Sequence, residues 1–275
     1  MSTFTLQPHK VPVTLSEGLT EEEVTNFKPF KTWLQTLTRS LALQTADENH
    51  PFHSDPYALH SINVQSHDRF GRRIGFLKLS ASVVNSAGER LPGAVFLRGP
   101  SVAMLVMLVP DDVGPDSAER YVVMTVQPRI PSGSLSMVEL PAGMVDDGTF
   151  VGAAAKEIEE ELGLEIKEGD LKCLSEMASP VAEQGEGGAD GGLPLAMYPS
   201  PGGCDEHITI YAHERRVPRS QLEEWGGKIT GLRDKGERIT LKLVPMRDLW
   251  REGSRDAKCL AAVALWEGLR REGKL

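Results

Sequence analysis

The sequence predicts a mixed α/β protein, and three features support this prediction. Between residues 139 and 164, a strand-like segment leads through Pro-Ala-Gly into a segment with helical periodicity. Short apolar segments separated by turn residues, over residues 59–97, indicate an antiparallel meander. Amphipathic helices are indicated near both ends of the chain, so the chain combines helices with strands.

The first helix is predicted from a capping box. Thr20 supplies the N-cap and Glu23 stands at the third helical position, where its carboxylate reaches back to the cap. The helix is expected to run toward residue 43, with an apolar side formed by Phe27, Phe30, Trp33, Leu34, Leu37 and Leu41. Residues 1–96 are therefore expected to form a helix and a small antiparallel sheet.

The remaining elements follow from apolar runs and turn residues. Residues 102–109 form one uninterrupted apolar run, which predicts a buried strand, and residues 121–127 predict its return strand. Later strands are predicted at residues 171–177, 208–211 and 238–244. A closing helix is predicted from Asp256 to Arg271, and four of its residues are expected to face one side: Leu260, Val263, Ala264 and Leu269.

Composition excludes several classes of protein. The 275 residues are 25% charged and 40% hydrophobic, which is ordinary for a globular protein. The net charge of −9 argues against a general role on nucleic acid or on a membrane surface. No apolar run is long enough to span a membrane, and no signal-peptide core is visible, so a cytoplasmic protein is expected. The three cysteines are few and widely spaced, as in proteins with reduced packing thiols.

The helical half of the central stretch carries a cluster of acids. Glu157 shares a helix face with Glu160 and Glu161, and like charges at this spacing repel by about 0.2–0.5 kcal/mol per pair. The acids also lie near the C-terminal end of the helix, where the helix dipole disfavours negative charge. A divalent cation would remove this conflict, and carboxylates with a backbone carbonyl suit Mg²⁺. The alternative is a solvated acidic face.

The residues around these acids resemble a known motif. Residues 156–164, K-E-I-E-E-E-L-G-L, are similar to the helical half of the Nudix box, G-x5-E-x7-R-E-U-x-E-E-x-G-U, in which U is aliphatic. Gly143 resembles the first glycine of the box. Lys156 stands where the family has Arg, and its distance from Gly143 is one residue short. The early Glu of the box consequently has no exact counterpart, and three residues lie near its position: Asp146, Asp147 and Thr149.

Segments outside the box extend the resemblance to the ADP-sugar pyrophosphatase branch of the Nudix hydrolases. They include D-R-F-G-R-R-I-G-F-L-K (68–78), V-E-L-P-A-G-M (138–144) and S-P-G-G-C-D-E (200–206). The resemblance implies a Nudix α/β/α sandwich with a mixed sheet over residues 97–275. It also implies that the helix and antiparallel sheet of residues 1–96 form a homodimer contact.

The resemblance further implies an activity and a metal site. The activity is Mg²⁺-dependent hydrolysis of a nucleoside diphosphate sugar, such as ADP-glucose or ADP-ribose, to AMP and a sugar 1-phosphate, with Mn²⁺ as an alternative cation. Glu157 and Glu161 resemble the main metal ligands, Glu160 lies beside them, and Ala142 resembles the residue that supplies a backbone carbonyl.

Other residues resemble the groups that handle water and substrate. Glu206, next to Asp205, resembles the loop acid that orients or deprotonates the attacking water, and Glu160 is the competing candidate for the base. Arg98 and Arg129 resemble contacts to substrate phosphate, which a forked guanidinium suits. Asp205 is assigned to substrate binding together with them. A surface salt bridge is the alternative role for Arg129.

Two alternative functions remain open at this stage. The chain could hydrolyse UDP-sugars or a broader range of nucleoside diphosphates, because base and sugar selection depend on pocket shape. It could also bind a nucleotide without hydrolysing it, which the substitution at Lys156 and the shortened loop favour. Retention of the three helix acids and of Glu206 favours an enzyme instead.

Overall fold

The computed structural model describes residues 2–8, 10–114, 117–145, 152, 166–179, 192–225, 229–230 and 239–275. The described residues form two compact units, each built on one sheet. The first unit falls within Met1–Pro100, Pro180–Pro194 and Ser200–Glu206, and the second within Ser101–Ser179, Leu195–Pro199 and His207–Leu275. The functional division into residues 1–96 and 97–275 stays a prediction.

The sheet of the first unit has six strands. They are β1 (Thr3–Leu6), β2 (Val11–Thr14), β3 (Ala58–Phe70), β4 (Arg73–Val84), β5 (Arg90–Leu91) and β6 (Ala94–Leu97). Their order is β1-β2-β3-β4-β5, and β6 also pairs with β4. The antiparallel meander predicted from the sequence is confirmed in β3 to β6. The hairpin of β1 and β2 was not predicted, and β2 runs parallel to β3, which the long helical connection between them permits.

The N-terminal capping box is confirmed, but the predicted single helix is two helices. The Thr20 hydroxyl accepts a hydrogen bond from the Glu23 N–H at 3.2 Å, and the Glu23 carboxylate accepts one from the Thr20 N–H at 3.0 Å. Phe27 is extended and separates the helices because Pro29 has no N–H to continue the hydrogen-bond ladder. The helices are α1 (Glu21–Asn26) and α2 (Lys28–Ala46).

The two helices share a core with one face of this sheet. Val24 and Phe30 are buried in the same cluster as Leu77 and Leu79 of β4. Neighbouring residues of a strand point to opposite faces, so the alternate residues of β4 lie away from this core.

The sheet of the second unit has eight strands. They are β7 (Ser101–Pro110), β8 (Tyr121–Arg129), β9 (Ser134–Glu139), β10 (Ala142–Met144), β11 (Lys172–Cys173), β12 (Ile208–Val217), β13 (Ile229–Thr230) and β14 (Ile239–Pro245). The order is β11-β12-β7-β8-β14-β13. Every residue of β7 is buried, which confirms the strand predicted from the apolar run. Strand β7 pairs in parallel with β12 along its whole length, so the sheet is mixed, as predicted.

Strands β9 and β10 fill a gap where β7 and β8 separate. Strands β7 and β8 pair directly at only two positions, Met107 with Val122 and Leu108 with Tyr121. Further along, β9 pairs with β8, and β10 pairs with the first residues of β7. The residues between β9 and β10 therefore lie in the middle of the sheet rather than in a surface loop.

Helices cover both faces of the second sheet. Alternate residues of β7 divide between two cores: Ala103 shares one with Trp266, and Val102 shares the other with Trp225. This arrangement gives the predicted α/β/α layers. The described helices of the unit are α3 (Leu174–Met177), α4 (Arg219–Trp225), α5 (Leu249–Glu252) and α6 (Ala257–Arg271), with short 3₁₀ turns at Ile130–Ser132, Glu168–Asp170 and Met246–Asp248.

Two local predictions for the second unit are wrong. The strand predicted over residues 171–177 ends after Cys173 and continues as α3, because Leu174 and Met177 are three residues apart and both contact the core from a helix. In α6, Leu260 is exposed. The buried residues recur at helical spacing along a face formed by Cys259, Ala262, Trp266 and Leu269, so of the four predicted residues only Leu269 is buried.

Candidate functional site

The segment that precedes the acid-rich stretch begins with Glu139 at the end of β9. The Glu139 carbonyl accepts a hydrogen bond from the Thr125 hydroxyl at 3.3 Å. The next N–H, that of Leu140, donates to a carboxylate oxygen of Asp256 at 2.9 Å, and the Leu140 side chain is fully buried. Both backbone positions are therefore bonded to other elements of the second unit.

The following two residues are fixed to the central strand. The Pro141 carbonyl accepts a hydrogen bond from the Met104 N–H at 3.0 Å. Ala142 begins β10 and lies opposite Ala103 in the antiparallel pairing with β7. The segment Glu139–Ala142, which we call the E-L-P-A segment, thus has backbone contacts at every residue.

A chain of ion pairs surrounds this segment. The two Glu139 oxygens bond Arg129 Nε at 2.5 Å and Lys258 Nζ at 2.9 Å, and Lys258 Nζ also bonds Asp256 at 2.8 Å. Glu139 is 4% exposed and Asp256 is 4% exposed, so the carboxylates depend on protein partners rather than water. Asp256 also caps α6, because its carboxylate accepts the Lys258 N–H at 3.1 Å.

Lys258 is held in its charged form by these neighbours. Burial lowers the pKa of Lys258, but Asp256 and Glu139 raise it by more, so the pKa lies above its ordinary value of 10.5. A raised pKa means that the folded state binds the proton more tightly than the unfolded state. The resulting stabilisation is fully present below pH 10.5 and is lost as the pH rises through the folded-state pKa.

A second cluster of predicted residues lies in the first unit. One Asp205 oxygen accepts the backbone N–H groups of Arg98 at 2.7 Å and Gly99 at 3.1 Å. Backbone hydrogen bonds join the same loop to β6: the Phe96 N–H donates to Gly203, and the Asp205 N–H donates to Phe96. The loop of residues 200–206 is therefore fastened along the end of β6.

Glu206 follows directly and contacts the Arg98 side chain. A Glu206 oxygen lies 3.3 Å from Nη2 of Arg98, and the two side chains are 16% and 31% exposed. The Nε of Arg98 is buried and has no hydrogen-bond partner among the residues that the structure describes. A buried donor without a partner is costly, and the described residues supply none for this N–H.

The predicted site residues thus fall into three groups. Arg98, Asp205 and Glu206 lie together in the first unit, and Arg129 lies beside the E-L-P-A segment that contains Ala142. The proposed metal-binding acids lie outside the described residues: Glu157, Glu160 and Glu161. Lys156, Asp146, Asp147 and Thr149 lie outside them as well. Within the described ranges, no three His, Cys, Asp or Glu residues form a group that could hold a metal ion.

Sequence analysis missed Glu139, Asp256 and Lys258. An acid at the end of an apolar strand was a visible signal for Glu139, and an Asp before a helix was one for Asp256. Lys258 had no local signal, because it lies 119 residues from the glutamate that it neutralises.

The cysteines supply no activated nucleophile. All three are free thiols. Burial raises the pKa of Cys173 and of Cys204, and it raises the pKa of Cys259 to about 12. Thiols with raised pKa values stay protonated at neutral pH and are poor nucleophiles.

We predict that Lys258→Met destabilises the protein by about 3 kcal/mol, because the change leaves two buried carboxylates without their shared cation. Urea unfolding at neutral pH measures this loss. Wild type should lose stability as the pH rises above 10.5, whereas the variant should lose less over the same interval.

Lys242→Met is the matched control. Lys242 bonds Glu252 at 2.5 Å, but both side chains are at least 40% exposed, so its removal should cost at most about 1 kcal/mol. Equal losses in the two variants would contradict a special role for the buried network.

Comparison with known proteins places these features in a family. A model of the NUDIX domain matches residues 101–263, which is more than half of the chain. Nudix hydrolase 14, chloroplastic, from Arabidopsis thaliana is 38% identical over 247 residues, which cover 89% of this chain and 71% of that protein.

A solved structure supports the same fold. The crystal structure of an ADP compounds hydrolase matches with a TM-score of 0.51 and 17% identity, covering 80% of this chain and 97% of that chain. At this identity the match concerns the fold alone. The domain match and the extended identity to the Arabidopsis protein confirm the resemblance found in the sequence: this chain belongs to the Nudix hydrolase family.

Proposed function

We propose that this chain is an Mg²⁺-dependent pyrophosphatase that hydrolyses ADP-sugars, such as ADP-glucose and ADP-ribose, to AMP and a sugar 1-phosphate. Nudix hydrolases act on diphosphate bonds, and the structural match is to a protein named for ADP compounds. The observation that carries the proposal is the fixed E-L-P-A segment, which stands directly before the Nudix-box residues.

The metal ligands in this proposal are Ala142, Glu157, Glu160 and Glu161. Carboxylate and carbonyl oxygens are the ligands that Mg²⁺ takes, and Mn²⁺ accepts the same donors. A bound cation would draw negative charge from the diphosphate of the substrate. The role of the protein is to hold the Ala142 position in place, which the bonds at Leu140 and Pro141 do.

We propose that Glu206 orients the attacking water. Its position depends on Asp205, whose carboxylate is bonded to the backbone of Arg98 and Gly99. The sequence assigned Asp205 to substrate binding. These bonds instead support a positioning role for Asp205, with Glu206 as the acid that acts.

The two arginines are proposed to contact substrate phosphate. Arg129 uses its Nε for Glu139, and its side chain is 40% exposed, so the terminal nitrogens can reach a ligand. Arg98 has a buried Nε without a partner in the described structure. A guanidinium that is oriented by a carboxylate is well suited to phosphate oxygens.

Neither the UDP-sugar alternative nor the nucleotide-binding sensor has a specific structural observation in its favour. No nucleic-acid surface enters the proposal. None of the helices in the described ranges is long and apolar enough to cross a membrane. The Arabidopsis relative carries the word chloroplastic in its name, and the cytoplasmic location expected for this chain stays a prediction.

The proposal is tested by product identification with ADP-glucose, ADP-ribose, ADP-mannose, UDP-glucose and NADH in the presence of Mg²⁺. We expect ADP-sugars to give the highest kcat/KM and AMP to be a product. Glu161→Gln should lower kcat about a hundredfold or more, because the loss of a metal ligand removes several kcal/mol of transition-state stabilisation.

The stability of Glu161→Gln without metal should hold or rise slightly, because one repulsive charge is removed. Near-normal activity of this variant in Mg²⁺ would exclude the proposed metal site. Turnover of UDP-glucose above the ADP-sugars would favour the first alternative, and nucleotide binding without any product would favour a sensor.

Glu206→Gln should lower kcat about a hundredfold to ten-thousandfold, with little change in KM or metal binding, if Glu206 acts on the water. Glu160→Gln is the control, because Glu160 is the competing base. A much larger kcat loss in Glu160→Gln, with metal binding intact in both variants, would move the base to the helix.

We also propose a homodimer formed through the first unit. An aromatic row lies on one side of its sheet: the ring centroids of Phe70 and Phe76 are 5.0 Å apart, and those of Phe76 and Phe96 are 5.1 Å apart. Phe70 is 46% exposed and Phe96 is 36% exposed. A second copy under two-fold symmetry would cover this row.

Phe70→Glu should shift the dimer toward monomer in sedimentation experiments, because it places a charge in the proposed contact. Phe52→Glu is the matched control: Phe52 is 42% exposed in the same unit and packs edge-to-face against Tyr57 instead. A wild-type protein that sediments as a monomer at all concentrations would reject the dimer.

A further inference from the structure

A cavity of about 640 Å³ lies in the second unit, at the end of α6 that is distant from Lys258. Met107 of β7 and Ala212 of β12 line it, together with Trp266 of α6. The last turn of α6 lies about 18 Å along the helix from Lys258, by the helical rise per residue. A cavity of this volume accommodates a small molecule.

One cation and one anion of the cavity lining, Arg120 and Glu214, form a salt bridge with each other. Arg120 Nε bonds a Glu214 oxygen at 2.7 Å, and Arg120 Nη1 donates to the Ser117 carbonyl at 2.6 Å. This pair is neutral as a whole, and it holds one wall of the cavity in place. It does not determine the charge of a ligand.

Two further cationic side chains in the lining have no salt bridge to a described residue. Lys172 and Arg270 both line the cavity, and neither forms a salt bridge with any residue whose position is described. Lys172 lies opposite Ala212 in the β11–β12 pairing, so the two side chains share the face that α6 covers. Asp170 is the one side-chain carboxylate of the described lining outside the Arg120 pair. Leu275, which carries the α-carboxylate of this sequence, also lines the cavity.

The other groups complete a site with an apolar floor and a polar rim. The Arg270 guanidinium lies 5.9 Å from the Trp266 ring centroid. His213 Nδ1 is 3.2 Å from the Asp170 carbonyl oxygen, and because a carbonyl only accepts, Nδ1 carries the proton. The Nε2 of a neutral His213 is then an acceptor for a ligand hydroxyl or amine.

We propose that this cavity binds a small organic anion, with its phosphate or carboxylate between Lys172 and Arg270 and its apolar body against Trp266. Arginine and lysine are the side chains that bind such anions, and an aromatic wall adds apolar contact. Of the residues assigned to hydrolysis, none that the structure describes lines the cavity, so the site is proposed in addition to the hydrolytic one.

The test measures binding of phenyl phosphate and benzoate to the full chain by calorimetry, in EDTA so that a metal-dependent site does not contribute. We expect saturable binding of at least one compound with a dissociation constant of about 1 mM or below. Tighter binding of phenyl phosphate identifies phosphate as the preferred group, and tighter binding of benzoate identifies carboxylate.

Arg270→Glu and Lys172→Glu should each weaken this binding about tenfold or more, since each removes a charged partner of the anion. Arg271→Glu is the matched control, because it makes the same charge change on the next residue of α6, outside the lining. All three side chains are exposed, so the variants should fold. Absence of saturable binding, or equal weakening by Arg270→Glu and Arg271→Glu, would overturn the proposal.

Discussion

The ion pairs of Lys258 with two buried carboxylates are the interaction on which the position of the E-L-P-A segment depends. Lys258 neutralises Glu139 at the end of β9 and Asp256 at the start of α6, and Asp256 in turn accepts the Leu140 N–H. A buried ion pair adds little net stability over an apolar pair, but it is strongly directional, and breaking it is costly. The network therefore fixes where the E-L-P-A segment lies more than it increases the stability of the fold.

This constraint matters because the segment fills a break in the sheet. Strands β7 and β8 pair at only two positions before they separate, and β9 and β10 pair with one edge each. A strand pair that opens leaves backbone groups without partners, and buried groups of this kind must be satisfied. Here Thr125, Asp256 and Met104 supply the partners, so an irregular backbone can stand at the centre of the sheet.

The sequence predicted those features of the fold that depend on residues close together in the chain. The apolar run of β7, the Thr20 capping box and the Nudix-box residues were all visible in the sequence, and each depends on neighbours within a few positions. The break before α2 required weighing one proline against a long apolar periodicity. The buried face of α6 and the ion pair between Glu139 and Lys258 depend on packing between distant segments, which spacing alone does not contain. The sequence accordingly predicted the motif residues of the site, but it did not predict the ion pairs that fix the E-L-P-A segment.

Charged groups that are paired within the fold can be distinguished from charged groups that lack a partner in the described structure, and this difference separates structural roles from proposed functional ones. Glu139 and Asp256 are buried and both are paired with Lys258, which is largely covered, as structural charges must be. The helical spacing predicted for the acids of the Nudix-box segment brings like charges together, and like charges repel. The Arg98 Nε–H is buried and has no hydrogen-bond partner in the described structure. A fold selected for stability alone would have removed such conflicts, so they persist where a ligand resolves them. By the same reasoning, Lys172 and Arg270, which have no salt-bridge partner among the described residues and lie beside a buried Trp266, support the proposed ligand at the far end of α6.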